Sequence, residues 1–164
     1  MRGSTMASLL ASLALLAGCA SSGIVANESS APLARQVTQS SHCGLTGPGL
    51  AYVQTEDRLQ QLLHLPAQNM AVQQLRAVDL EQEHLLFVTL GERPTGGYSV
   101  GLVSAAAEEA GKTLSLSMAV RTPAPGTMVT QALTSPCVVV AFPARDWSEI
   151  RVSGVGEGDL RIRP

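Results

Sequence analysis

Leu114-Ser115-Leu116-Ser117-Met118-Ala119-Val120-Arg121 decides the class of fold. Apolar residues occupy every second position, and the positions between them are small or polar. Strand side chains point alternately to opposite faces, so this pattern predicts a strand with one face in a core and the other in water. Upstream, Tyr98, Val100 and Leu102 alternate with Ser99, Gly101 and Val103, a second strand of the same kind. Leu85-Leu86-Phe87-Val88-Thr89-Leu90-Gly91 and Cys137-Val138-Val139-Val140-Ala141-Phe142 are continuous apolar runs that fit buried strands, the second ended by Pro143. Residues 149–152 and 159–162 predict a hairpin across Gly154-Val155-Gly156-Glu157-Gly158. Several short strands separated by Gly/Pro turns imply an antiparallel sandwich or barrel.

The N-terminal side of this sheet region has a helical period. Residues 50–55 fit a short strand, and Thr55 fits an N-cap for a helix over 56–65. There Leu59, Leu62 and Leu63 make an apolar stripe and Pro66 closes the segment. Residues 67–76 suggest a second short helix. No internal repeat is visible. The expected fold class is therefore α+β, mainly antiparallel β, sandwich- or barrel-like, with one or two short N-terminal helices.

The first residues carry a different signal. Arg2 and the terminal amine make a short basic stretch, followed by an apolar run over 7–17. That run fits the hydrophobic region of a signal peptide and falls short of the roughly 20 apolar residues of a bilayer span. Leu16-Ala17-Gly18-Cys19 resembles the bacterial lipobox, which implies cleavage before Cys19 and lipidation of its thiol. Several acyl chains anchor stably where one does not. By analogy with sorting in which Asp after the lipidated cysteine retains a protein at the inner membrane, Ala20 points to the outer membrane, facing the periplasm. Residues 19–45 are expected to be a lipidated tether, rich in small and polar residues and without sustained period. Residues 46–164 are expected to be one globular domain.

Cys19 apart, two cysteines remain. Cys43 and Cys137 form an even pair suited to an oxidising compartment; a disulfide between them and two separate thiols, one in a buried strand, both fit the sequence. Removing residues 1–18 takes away Arg2 alone among charged residues, so the net charge moves from −2 to about −3. That lacks the basic footprint of a nucleic-acid binder or of a protein drawn to anionic lipid. Aromatic residues are 3 % of the chain, few for stacking on sugars or bases.

The most informative stretch for function is Gly91-Glu92-Arg93-Pro94-Thr95-Gly96-Gly97-Tyr98-Ser99-Val100. Pro94 fixes φ, and the two glycines open backbone conformations closed to other residues. The turn would present Arg93, Thr95 and Tyr98 from a rigid base. It also fits an ordinary hairpin device in which Tyr98 merely packs.

This stretch, followed by Pro125-Gly126 and then Val129-Thr130-Gln131-Ala132-Leu133-Thr134-Ser135-Pro136, resembles the C-terminal domain of the PrcB family. Val78-Asp79-Leu80 before the first strand also fits, so the resemblance spans roughly residues 78–152. It implies a lipoprotein subunit that stabilises a protease complex. The partner-binding residues would be Arg93, Pro94, Thr95, Gly96, Gly97 and Tyr98, with residues 123–126 nearby. Cys137 stands where the family often has an aromatic. Pro94-Thr95-Gly96-Gly97-Tyr98 is also loosely similar to a loop of chagasin-type cysteine-protease inhibitors, whose later Arg-Pro-Trp motif is missing: Trp147 sits in Arg145-Asp146-Trp147-Ser148.

Signals for chemistry are weak. His42, His64 and His84 are isolated from one another and show no metal-ligand spacing. Residues 154–158 lack the following helix that a dinucleotide loop requires, and neither Gly-x-Ser-x-Gly nor Ser-x-x-Lys occurs. A hydrolase assembled from distant residues is a third reading. The sequence favours a non-catalytic, membrane-tethered module that binds another envelope protein, needs no cofactor or metal, and does not bind nucleic acid.

Overall fold

Two four-stranded sheets stack face to face in the computed structural model, which describes residues 32–164. The strands are β1 (Arg35–Ser40), β2 (Pro48–Val53), β3 (Glu83–Leu90), β4 (Ser99–Glu108), β5 (Thr113–Arg121), β6 (Cys137–Pro143), β7 (Glu149–Ser153) and β8 (Leu160–Ile162). The first sheet has the order β1-β6-β3-β2 and the second β4-β5-β7-β8. Two short helices, α1 (Glu56–Leu63) and α2 (Val72–Arg76), connect β2 to β3. The expected α+β sandwich is present, with no closed barrel. Cys19 and the lipobox lie outside the described residues.

The burial of β3 and β6 accounts for their uninterrupted apolar sequences. Leu86, Val88, Leu90, Val138, Val140 and Phe142 face the second sheet, where they meet Val100, Leu114, Leu116, Ile150 and Val152. Leu85, Phe87, Val139 and Ala141 face the opposite way and pack with Leu59, Leu62, Leu63 and Leu75 of the helices. A strand covered on both faces needs apolar residues at both parities. β5 is covered on one face only, so Leu114, Leu116 and Met118 alternate with partly exposed Ser115 and Ser117.

Thr55 caps α1 as expected: its hydroxyl accepts from Arg58 N–H at 3.3 Å, with Glu56 and Asp57 in the first turn. That places acids at the positive end of the helix dipole. The second helix is shorter than expected and lacks a side-chain cap. β4 carries a bulge between Leu102 and Ser104, which turns Val103 outward. This bulge kinks an edge strand, a feature that discourages pairing with another chain. The first sheet meets β4 through Gln36 of β1, whose side-chain oxygen accepts from Leu102 N–H at 3.0 Å.

One expectation changes. The segment expected to be a tether through residue 45 is ordered from Arg35, where β1 pairs antiparallel with β6. β1 is an edge strand with mostly exposed or half-exposed side chains, so backbone pairing holds it and its sequence shows no hydrophobic period. The sheets are mainly antiparallel, as expected, and β5 and β7 make the one parallel pair among the named strands. After β5 the chain crosses to the first sheet, returns along β6, and re-enters the second sheet beside β5 in the original direction. The expected hairpin of residues 149–152 and 159–162 is β7–β8.

Candidate functional site

The strand registers define two ends of the sandwich. At one end lie Leu90, Cys137 and the start of β2; at the other lie His84, Phe142 and Pro143. Residues 91–98, the connection from β3 to β4, lie at the first end. The second family-like run, residues 129–136, lies there too, just before β6.

These two segments, far apart in sequence, are joined by backbone hydrogen bonds. Arg93 N–H donates to Thr134 O at 2.8 Å, and Thr134 N–H donates to Arg93 O at 2.9 Å. Gly96 N–H donates to Thr130 O at 2.9 Å, and the Thr134 hydroxyl donates to Thr95 O at 3.0 Å. Gly97 has φ +87°, and a Cβ there would come within 3.0 Å of Val129 and 3.1 Å of Pro123. Both the backbone angle and the close approach therefore call for glycine. The expectation that residues 123–126 lie close is met at Pro123. Residues 124–127 close a turn in which Thr127 N–H donates to Ala124 O at 3.1 Å, with Gly126 at φ +79°. Pro125 before such a glycine is the arrangement of a type II turn.

Each side chain of the candidate loop has a distinct setting. Pro94 is exposed, whereas Arg93 and Tyr98 are half-buried. The Arg93 guanidinium carbon lies 5.7 Å from the Tyr98 ring centroid, within cation–π range. Tyr98 itself packs against the inter-sheet core. Its ring therefore anchors the loop, and Arg93 and Pro94 are the parts that face outward.

The disulfide ties a third segment to this end. Cys43 and Cys137 are bonded, with Cα atoms 6.1 Å apart and both residues fully buried. Next to the bond, Ser135 N–H donates to Ser41 O at 2.8 Å, and the Ser135 hydroxyl accepts from the N–H groups of Cys43 and Gly44 at 3.0 and 3.2 Å. Gly91 packs with its Cα so close to Pro48 that a Cβ would come within 2.7 Å of Pro48 N. Between these segments lies a largely apolar hollow of about 300 Å³, lined by His42, Thr46, Pro66, Glu92, Leu133 and Ser135 among others.

Sequence reasoning missed the residues this end exposes most. Met128 is 97 % exposed and Leu133 66 %, unusual for apolar side chains of that size. The signal available was charge: between Arg121 and Arg145 the chain has no charged residue. Buried β6 accounts for part of that run, but the exposed loop before it has no such reason to be uncharged.

The histidines are dispersed. His42 Nδ1 lies 3.0 Å from the Ser41 hydroxyl and borders the apolar hollow together with Glu92. His64 Nδ1 contacts Gln60 O at the end of α1. His84 is at the opposite end, beside Tyr52. Among the described residues no hydroxyl, imidazole and carboxylate form a hydrogen-bonded chain, and no three His, Cys, Asp or Glu side chains converge as metal ligands. Asp79 caps a turn, accepting from Glu81 N–H at 3.0 Å.

Comparison with known proteins bears on the same segments. Residues 85–143 match the family model described as PrcB C-terminal, a span running from β3 through β6 that contains both joined loops. The match is narrower than the 78–152 suggested by the motifs. No curated protein and no solved structure matches the chain. Over residues 85–143, the chain is thus similar to the PrcB C-terminal domain.

Proposed function

We propose that this protein is a non-catalytic, lipid-anchored module of the bacterial envelope that binds another envelope protein through the joined loops 91–98 and 122–135. The observation that carries the reading is the coupling of these loops through the Arg93–Thr134 and Gly96–Thr130 backbone bonds. Loops fixed before contact lose little conformational entropy on binding. The uncharged outer loop with exposed Met128 and Leu133 supplies apolar contact area, and Arg93 supplies a cation beside it. Arginine with apolar anchors is a common composition at the centre of protein interfaces.

The partner we favour is a protease or a protease complex that this subunit stabilises, from the PrcB C-terminal match and from the sense of the family name. Anchoring at Cys19 rests on the lipobox-like Leu16-Ala17-Gly18-Cys19. Arg35, where the described chain enters the sheet, sits opposite Ala141, whereas Ser40 sits opposite Cys137. A chain tethered upstream of Arg35 thus enters at the end away from the joined loops. The length of β6, at about 3.4 Å per residue, separates the two ends by about 20 Å. Ala20 after the lipidated cysteine favours the outer membrane.

The test is a mild crosslinking pull-down of the protein from its native envelope, with intact-mass analysis of the bait. Acylated Cys19 and an enriched protease support both parts of the proposal. Acylation without a partner leaves the anchor and removes the binding role, and unmodified soluble protein removes the anchor.

A further inference from the structure

The end of the sandwich away from the joined loops gathers most of the chain's few aromatic rings. Tyr52 stacks near Phe142 with centroids 6.0 Å apart, Phe142 meets Trp147 edge-on at 6.3 Å, and Tyr52 meets the His84 ring edge-on at 5.5 Å. Beside them opens a cleft of about 420 Å³, lined by Gln54, His84, Arg145, Asp146, Trp147 and Pro164. His84 and residues 144–147 fall just outside the two ends of the family match, so this cleft is separate from the matched segment.

The polar groups at the cleft are held in place by its walls. The Trp147 indole N–H donates to Pro143 O at 3.0 Å, which fixes the ring. The Arg145 guanidinium carbon lies 3.9 Å from the centre of that ring, stacked upon it. Among the described residues Arg145 has no acidic partner within ion-pair distance. A stacked guanidinium keeps its N–H edge available for a planar, two-oxygen acceptor. Gln54 Nε2 donates to the Tyr52 hydroxyl at 3.3 Å, and that hydroxyl lies 2.5 Å from His84 Nδ1. Burial pushes the His84 imidazole below its ordinary value, and a ring that accepts from the Tyr52 hydroxyl at Nδ1 would carry its proton on Nε2.

We propose that this cleft binds a single carboxylate, carried by a small organic acid or by the C-terminus of a peptide, with the Arg145 guanidinium as its main partner and the His84 imidazole and Gln54 amide as further donors. The balance of charge selects the class. Among the side chains that line the cleft there is one permanent cation, Arg145, and one carboxylate, Asp146. That suits a singly charged planar anion better than a doubly charged phosphate. Asp146 also offers an acceptor for an N–H group of the ligand, as a peptide amide would present.

Trp147 is the only tryptophan in the chain, so its fluorescence reports on the cleft directly. Titration of the whole protein with N-acetylglycine, followed by fluorescence and by calorimetry, should give saturable binding, and N-acetylglycinamide should give none. Arg145→Gln should weaken binding about tenfold or more, because a hydrogen bond to a charged group is lost. Arg145→Lys should restore only part of it, since a point charge cannot make the paired contact. Gln54→Ala, at an exposed position outside the 143–147 segment, should weaken it a few-fold and guards against a local disturbance by the Arg145 variants. A short peptide that binds more tightly than N-acetylglycine, and loses this on C-terminal amidation, assigns a peptide as the source; equal affinity of peptide acid and N-acetylglycine assigns a small acid. No saturable response to either carboxylate, an equal response to the amide, or tighter binding of inorganic phosphate overturns the proposal.

Discussion

The two ends of the sandwich are built by different means. The end bearing the family motifs is held by backbone hydrogen bonds, a disulfide and glycines in close approach, and it leaves Met128 and Leu133 in solvent. The opposite end is held by packed rings and a stacked cation. Backbone clamps fix the shape of a loop while leaving its side chains free, which suits a surface whose side chains are to be used elsewhere. Ring packing consumes the side chains it uses and contributes to the core that both sheets share.

The difference has consequences that can be measured. Phe142→Ala, at the ring-packed end, should cost about 3–5 kcal/mol, the usual range for emptying a buried aromatic site, and should lower the urea midpoint of the whole domain. Cys43→Ala with Cys137→Ala should cost about 2–5 kcal/mol, because the bond closes a long loop of separation 94. Hydrogen exchange should then rise first at residues 42–46, 91–98 and 129–136. Equal loosening at both ends would erase the contrast. Gly97→Ala combines a strained backbone angle with two tight contacts and should cost about 1–3 kcal/mol, with faster exchange of the Gly96 and Thr134 amides as its signature. Met128→Ser should change stability by less than about 0.5 kcal/mol, since the side chain touches little, yet should weaken partner capture.

The smallest effect belongs to an electrostatic cluster on β7 and β8. A hydrogen bond from Arg151 holds the Glu149 carboxyl below its ordinary value, with the charges of Arg151, Arg161 and Arg163 adding to this. A carboxylate with a depressed folded value adds stability that is present above the ordinary Glu range and is lost as pH falls through the folded value. Glu149→Gln should therefore flatten the acid limb of the stability profile below about pH 4.5. Added salt should do so in part in the parent protein, because the contributions of the largely exposed Arg161 and Arg163 are screened.

Much of this was legible from residue order. Period two in residues 114–121 marked β5, and continuous apolar runs marked β3 and β6 because each is covered on both faces. Thr55 and the leucine stripe marked α1. β1 was hidden because an edge strand held by backbone pairing needs no apolar pattern, and its polar sequence reads as linker. The parallel pairing of β5 and β7 was hidden because it depends on which sheet receives β6. At the loop end, residues 91–98 and 129–136 were each visible as motifs. Their union was not, since the bonds that join them are made by backbone groups that every residue shares. The exposure of Met128 follows from the turn at residues 124–127, and the charge-free run around it was its one trace in the sequence.

The most direct test of the loop end as the binding surface is site-specific photocrosslinking in the native envelope. A photoreactive residue is placed at Met128, and a control is placed at exposed Lys112, in the β4–β5 turn at the opposite end. A single defined protein adduct from position 128, absent from position 112 and diminished by Gly97→Ala, is the expected result. No adduct at position 128 in folded, lipidated protein, or the same adduct from both positions, would contradict it.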